Sequence, residues 1–108
     1  MLHIDSRNSK KRIDVFFYHH STSETGKALA THLRNTIKNK YDIYQKNRGY
    51  LGSVSSRDLY MLRETKPTSV YVEMGNINSE EDLRRFLKES NRQALADWLF
   101  EGLSVYQP

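Results

Sequence analysis

Three short stretches of the chain carry the hydrophobic patterns that are typical of strands. Ile13–Tyr18 is rich in β-branched and aromatic side chains, which predicts a first strand. Leu59–Leu62 and Ser69–Met74 are predicted as two further strands, with Pro67 at the point where the last one is entered. Because the connection between these two is too short to contain a crossover helix, we expect them to run antiparallel if they are adjacent.

Three helices are predicted from polar starts that are followed by apolar residues at helical spacing. The first has a capping box at Ser21–Glu24 and is predicted to end near Lys40. The second starts at Ser79–Asp82, where three acidic residues follow a hydroxyl cap and favour a helix N-terminus. The third starts at a capping box at Ser90–Gln93 and carries an apolar stripe that ends at Leu103.

The predicted order of elements is β-α-β-β-α-α, which implies a mixed sheet flanked by helices in an α/β domain. The chain has 108 residues, a length typical of one domain, and no internal repeat or linker divides it. Residues 41–58 are the irregular part, and we expect them to hold one short strand or turn.

The charge of the chain is unevenly distributed. Residues 1–57 carry 11 Lys or Arg and 4 Asp or Glu, whereas residues 58–108 carry 6 and 9. A basic half can attract a polyanion such as nucleic acid or an anionic wall polymer, although an ordinary solvated surface accounts for the same composition. The absence of cysteine excludes disulfides and thiolate metal sites. We see no secretory signal and no apolar run that could span a bilayer.

Glu73 is the first candidate for chemistry, since it lies near the carboxyl end of the strongest strand pattern. Alternation along this strand predicts that Val70, Val72 and Met74 share one face, opposite to Glu73. A charged residue in such a strand is seldom fully buried unless it is paired. We therefore consider two roles for Glu73, namely a structural carboxylate paired with Arg63 and a catalytic carboxylate.

The four histidines are the second group of candidates. His3 lies near the start of the chain, His19 and His20 follow the first predicted strand, and His32 lies on the first predicted helix. A zinc site needs three or four converging ligands, and no H-E-x-x-H signature is present, so each histidine alone is interpreted as a surface or loop residue. Nucleotide-binding glycine loops, a nucleophile elbow and a catalytic cysteine are also absent from the sequence.

Residues 59–79 resemble the catalytic-glutamate segment of the zinc-dependent N-acetylmuramoyl-L-alanine amidases of type 3. That family shows a VLR-x-T-x-x-P-x-x-L-V-E-x-G-F-x-x-N pattern, and Asn76 stands where it usually has an aromatic or aliphatic residue. Residues 14–18, 23–33 and 94–103 are similar to the family's E-V-Y-Y-Y strand, the helix after it and its closing helix. Residues 1–6 resemble the S-I-H-x-N/D-A segment that carries a zinc ligand. The positions in register with the glutamate segment are Arg63, Thr65, Pro67, Glu73, Gly75 and Asn78 or Ser79.

The resemblance implies a three-layer α/β/α fold with a mixed sheet, of which residues 1–108 are expected to form only the C-terminal portion, without the N-terminal strands. It implies hydrolysis of the amide between N-acetylmuramic acid and L-alanine in peptidoglycan, with Glu73 as general base, His3 as a zinc ligand and Arg63 in support. The family's D-P-G-H-G motif and a later acidic motif, which supply the other ligands, are absent, so the zinc ligand set is expected to be incomplete. The expected location is the cell envelope, the periplasm or the exterior of the cell.

Two other functions remain open at this point. A catalytically inactive remnant of the family could bind the cell wall or another protein, and a small basic domain could bind nucleic acid, although the lysines and tyrosines lack an RNA-recognition pattern. If the strand that contains His3 and its neighbours are missing or incomplete, the first ordered strand loses its pairing partner, and its unpaired edge is expected to promote self-association.

Overall fold

The computed structural model describes residues 1–64 and 66–107, which form four strands and four helices. In chain order these are β1 (Leu2–Asp5), β2 (Phe16–His19), α1 (Glu24–Tyr44), β3 (Val54–Ser56), α2 (Tyr60–Arg63), β4 (Tyr71–Asn76), α3 (Glu80–Leu87) and α4 (Glu89–Ser104). No helix in this described part is long and apolar enough to cross a membrane.

The four strands form one mixed sheet in the order β1-β4-β2-β3. β1 runs parallel to β4, β2 runs antiparallel to β4, and β3 runs parallel to β2. This confirms the predicted α/β class with a mixed sheet. β4 and β2 are the central strands, while β1 and β3 lie at the two edges.

The hydrophobic core lies between one face of the sheet and the helices α1 and α4. Phe17 of β2 and Val72 of β4 are buried in one cluster with Leu33 and Ile37 of α1 and Leu99 of α4. Val70 belongs to the same cluster and Met74 packs against it, so the predicted alternation along β4 is confirmed. Glu73 therefore projects from the opposite face of the sheet.

The predicted strand at Leu59–Leu62 is wrong, because this segment begins the short helix α2. The N–H groups of Leu62 and Arg63 both donate to the carbonyl of Leu59. A short apolar run is compatible with either a strand or a helix, and here the turn-like hydrogen bonds decide between them. The expected antiparallel pair with Ser69–Met74 does not exist, and the short strand expected within residues 41–58 is β3.

The helix starts agree with the sequence in part. Ser23, rather than Ser21, caps α1 by accepting from the N–H of Gly26, and the helix continues past Lys40 to Tyr44. Ser79 caps α3 as predicted, by accepting from the N–H of Asp82.

The predicted capping box at Ser90–Gln93 is wrong. α4 begins at Glu89 and its N-cap is Lys88, which makes no side-chain capping hydrogen bond. Ser90 is thus already helical, and it cannot be the residue at which the chain enters the helix. α3 ends at Leu87, so Lys88 alone separates the two helices.

Candidate active site

Glu73 is the third residue of β4 and lies at the centre of the sheet. Its register partners are His3 on β1 and Phe16 on β2. The residue is 1% exposed, which makes it one of the most buried charged groups among the described residues. A carboxylate at this depth needs a compensating charge or hydrogen bonds, because its desolvation is costly.

Two arginines supply that compensation. Arg7 donates from Nη2 to Oε2 of Glu73 at 3.1 Å, and Arg57 donates from Nη1 to Oε1 at 3.0 Å. The side chains of Arg7 and Arg57 are 33% and 48% exposed, so each guanidinium reaches from solvent to the buried carboxylate. Glu73 therefore joins the segment after β1 and the segment after β3 to the central strand.

Arg63 does not occupy the position that sequence reasoning assigned to it beside Glu73. Its guanidinium forms ion pairs with Asp58 at 3.1 Å and Glu64 at 3.0 Å, both of which are exposed. The carboxylate oxygens of Glu73 accept instead from Arg7 and Arg57. Thr65, another residue in register with the family pattern, lies outside the described residues.

Aromatic side chains surround Glu73 on its face of the sheet. The rings of Tyr18 and Tyr71 are 6.3 Å apart, and Phe16 stacks on Tyr18 at 5.8 Å. The Arg7 guanidinium lies 5.1 Å from the centre of the Phe16 ring, and Arg7 also donates to the hydroxyl of Tyr18 at 3.1 Å. Burial, followed by the charge of Glu73, raises the pKa of Tyr18, so this phenol stays protonated at neutral pH.

The histidines do not converge on one point. His3 is exposed on β1 with its ring 5.6 Å from that of Tyr71, and buried His19 donates from Nδ1 to the carbonyl of His20 at 2.9 Å. Among the described residues, no group of three or more His, Cys, Asp or Glu side chains is arranged to hold a metal ion. The described residues therefore do not by themselves form the three-ligand site that catalytic zinc requires.

Asn76 positions the loop that carries Arg7. Its side chain is buried, and its Oδ1 accepts from the N–H groups of Arg7 and Asn78, both at 3.1 Å. Its Nδ2 donates to the carbonyls of Ser9 at 2.9 Å and Lys11 at 3.0 Å. The polar residue at this position thus anchors residues 7–11 to the end of β4, which an aromatic side chain could not do.

Asp82, in the first turn of α3, organises the backbone behind the site. It is buried and accepts from the N–H groups of Ile13 at 2.8 Å, Asp14 at 3.2 Å and Asn76 at 2.9 Å. Burial raises the pKa of Asp82, although the three N–H donors act in the opposite direction. Gly75 of β4 allows α3 to lie close to the strand, because a Cβ on Gly75 would lie 2.8 Å from the Phe86 ring of α3.

Sequence reasoning selected Glu73 as a candidate but did not select its neighbours Arg7 and Arg57, or Asp82. Arg7 and Arg57 lie 66 and 16 residues from Glu73, and no spacing rule links them to it. The excess of basic residues in the first half of the chain was the only available signal. Asp82 was interpreted only as one of the acidic residues that favour a helix N-terminus. Its hydrogen bonds to three backbone N–H groups depend on the tertiary fold.

Comparison with known proteins identifies a family to which this chain is similar. A model of the N-acetylmuramoyl-L-alanine amidase family matches residues 1–105. A search of curated proteins found no match.

Solved amidase structures share the fold. AmiC2 of Nostoc punctiforme is 27% identical with a TM-score of 0.75, over 94% of this chain and 52% of that chain. CwlD of Clostridioides difficile, solved in complex with the GerS lipoprotein, is 20% identical with a TM-score of 0.79, over 95% and 50%. Ami1 of Mycobacterium abscessus is 18% identical with a TM-score of 0.79, over 97% and 52%.

The present chain spans about half the length of these amidase structures. The resemblance of residues 59–79 and of the other quoted segments is confirmed, since the family match extends over nearly all of the chain. The chain belongs to the N-acetylmuramoyl-L-alanine amidase family.

Proposed function

We propose that this chain is the C-terminal portion of an amidase catalytic domain that hydrolyses the amide between N-acetylmuramic acid and L-alanine in peptidoglycan. The observation that carries the proposal is the register of β1 and β4, which pairs His3 with the buried Glu73. The family match over residues 1–105 supports it and does not favour a nucleic-acid-binding domain. A substrate of this kind implies work in the cell envelope, the periplasm or outside the cell.

Glu73 is proposed as the general base, which takes a proton from the attacking water and returns it to the leaving amine. Both of its oxygens already accept from arginine, but a carboxylate offers about four lone-pair sites, so each oxygen can accept one further hydrogen bond. Because Glu73 is buried, water must reach it past one of the guanidiniums. Arg57 is the more exposed of the two, and we expect its side chain to be the one that moves.

His3 is proposed as one zinc ligand, with the remaining ligands supplied by polypeptide outside these 108 residues. A catalytic zinc needs three protein ligands, and within the described residues only His3 matches a ligand position of the family. Arg63 is assigned a supporting role away from the carboxylate, since its partners are Asp58 and Glu64.

The proposal is tested by fusing the chain behind the N-terminal half of the AmiC2 domain and measuring muramyl-peptide hydrolysis and bound zinc. We expect the fusion to retain zinc through dialysis and to release peptide, and the chain alone to do neither, because a single histidine ligand binds zinc weakly. His3→Ala should remove zinc from the fusion, whereas the matched variant His32→Ala should keep it.

Two results would contradict this assignment. Stoichiometric zinc retained by the chain alone would require ligands other than those proposed. His19 and His20 would then be the first candidates. A folded, zinc-loaded fusion that binds muramyl peptide without cleaving it would favour the alternative of an inactive wall-binding module.

We also propose that two copies of the chain associate through the exposed edge of β1. Leu2 is 64% exposed on this edge strand, and it borders an apolar groove of about 450 Å³ between the sheet, α1 and α4. Exposed Phe100 and Leu103 line the same groove. An unpaired strand edge beside an apolar surface is self-complementary, since the same edge of a second copy can pair with it.

Sedimentation velocity is expected to show dimers or larger species of the chain at micromolar concentration. Leu2→Lys should shift the distribution to monomer, because a charge on an edge strand opposes pairing. Ile43→Lys is the matched control, as Ile43 is comparably exposed but lies on α1 away from the groove. A monomer at every concentration, or equal behaviour of the two variants, would exclude this interface.

A further inference from the structure

A second concave site lies away from Glu73, where the end of α1, the end of α3 and the start of α4 meet. It is an open depression with a volume of about 300 Å³. Its lining consists of three arginines, two side-chain amides and one carboxylate: Arg48, Arg84, Arg85, Gln45, Asn91 and Glu81. These residues come from three separate segments of the chain, so the cluster exists only in the folded protein.

Two of the arginines are held in place against a single buried ring. The guanidinium of Arg48 lies 4.4 Å from the centre of the Tyr41 ring, and that of Arg85 lies 5.1 Å from it. Arg48 is further fixed by Asp14, whose Oδ1 accepts from its Nη2 at 2.7 Å. Cation–π contacts and an ion pair therefore preorganise the positive charge before any ligand arrives.

The carboxylates of this region neutralise only part of the positive charge. Asp14 is shared between Arg48 and Arg12, and Glu81 lies 3.4 Å from Arg12. Among the ion pairs of residues 1–64 and 66–107, none involves Arg84 or Arg85. The cavity thus presents an excess of positive charge to solvent.

We propose that this cavity binds a phosphate group, either free or esterified. Guanidinium forks match the oxygens of phosphate, and arginine is the residue that recognises this group best. Three guanidiniums at one site suit a group with four oxygens better than a carboxylate with two. The Gln45 and Asn91 amides add neutral donors at the same site. This site is independent of Glu73 and of the proposed hydrolysis.

The test is a titration of the chain with inorganic phosphate at constant ionic strength, followed by NMR of the arginine Nε–H groups. Saturable shifts are expected for Arg48, Arg84 and Arg85. Arg84→Gln combined with Arg85→Gln should weaken binding at least about tenfold, since two charge-assisted contacts are lost. Arg63→Gln, an arginine on α2 away from the cavity, should change affinity less than about twofold.

A second ligand identifies the source of the phosphate, and a single-substitution variant controls for loss of the fold. A glycerol phosphodiester that binds as well as inorganic phosphate indicates an esterified ligand, and binding of inorganic phosphate alone indicates the free ion. Arg84→Gln by itself, at an exposed position, keeps the fold and should still reduce affinity. Equal binding of acetate, equal loss in Arg63→Gln, or shifts spread over all surface arginines would overturn the proposal.

Discussion

Glu73→Gln is expected to lower kcat of the AmiC2 fusion by about 10²–10⁴-fold, because glutamine keeps the shape of the side chain but cannot accept a proton. The same change also affects stability. Glutamine has one carbonyl oxygen where the carboxylate offers two to Arg7 and Arg57, so one guanidinium loses its acceptor. Since both arginines reach solvent, we expect the free energy of unfolding to fall by only about 1–2 kcal/mol.

Measuring kcat per folded molecule and the free energy of unfolding on the same sample separates the two roles of Glu73. Glu64→Gln is the matched control, because Glu64 is an exposed partner of Arg63, and both quantities should stay near the wild-type values. A Glu73→Gln variant that is destabilised but fully active per folded molecule would leave Glu73 with a structural role alone.

Asp82→Ala is expected to lower the free energy of unfolding by about 3–5 kcal/mol, because it leaves the buried N–H groups of Ile13, Asp14 and Asn76 without acceptors. This is a large share of the roughly 5–15 kcal/mol that stabilises a domain. Urea unfolding of the chain measures it directly. The stability of β4, and with it the position of Glu73, depends on this carboxylate.

The control for Asp82 is its neighbour in the same helical turn. Glu81→Ala removes an exposed carboxylate whose only described ion pair, with Arg12, spans 3.4 Å, so the effect should be within about 0.5 kcal/mol. Asp82→Asn should fall between the two, since an amide retains one acceptor oxygen. If Asp82→Ala unfolds at the same urea concentration as Glu81→Ala, the three backbone hydrogen bonds contribute little to the fold.

Local patterns were sufficient for much of the fold. The β-branched alternation of residues 69–74 placed β4 and its buried face, and the hydroxyl-plus-acid signature at Ser79 placed the start of α3. Both features depend on residues close together in the chain, where spacing determines which side chains share a face or reach a free N–H. The family resemblance of residues 59–79 likewise depends on contiguous sequence.

Two predictions of secondary structure were wrong, because in each case the local sequence pattern is compatible with two different backbone conformations. Leu59–Leu62 is apolar enough for a strand, but its backbone turns into α2, and Ser90 has the spacing of a cap but lies inside α4. Short segments have little intrinsic preference, so tertiary packing decides their conformation.

By itself the sequence determined the α/β class and the family and indicated Glu73 as a candidate for chemistry, because each of these is carried by a local pattern of residue types. Only the tertiary structure decided what holds Glu73, since Arg7 comes from 66 residues away and Arg57 from 16. The same is true of the arginine cavity, which three separate segments assemble. Electrostatic partners act through space with no periodicity along the chain, so folding must bring them together before their pairing can be known.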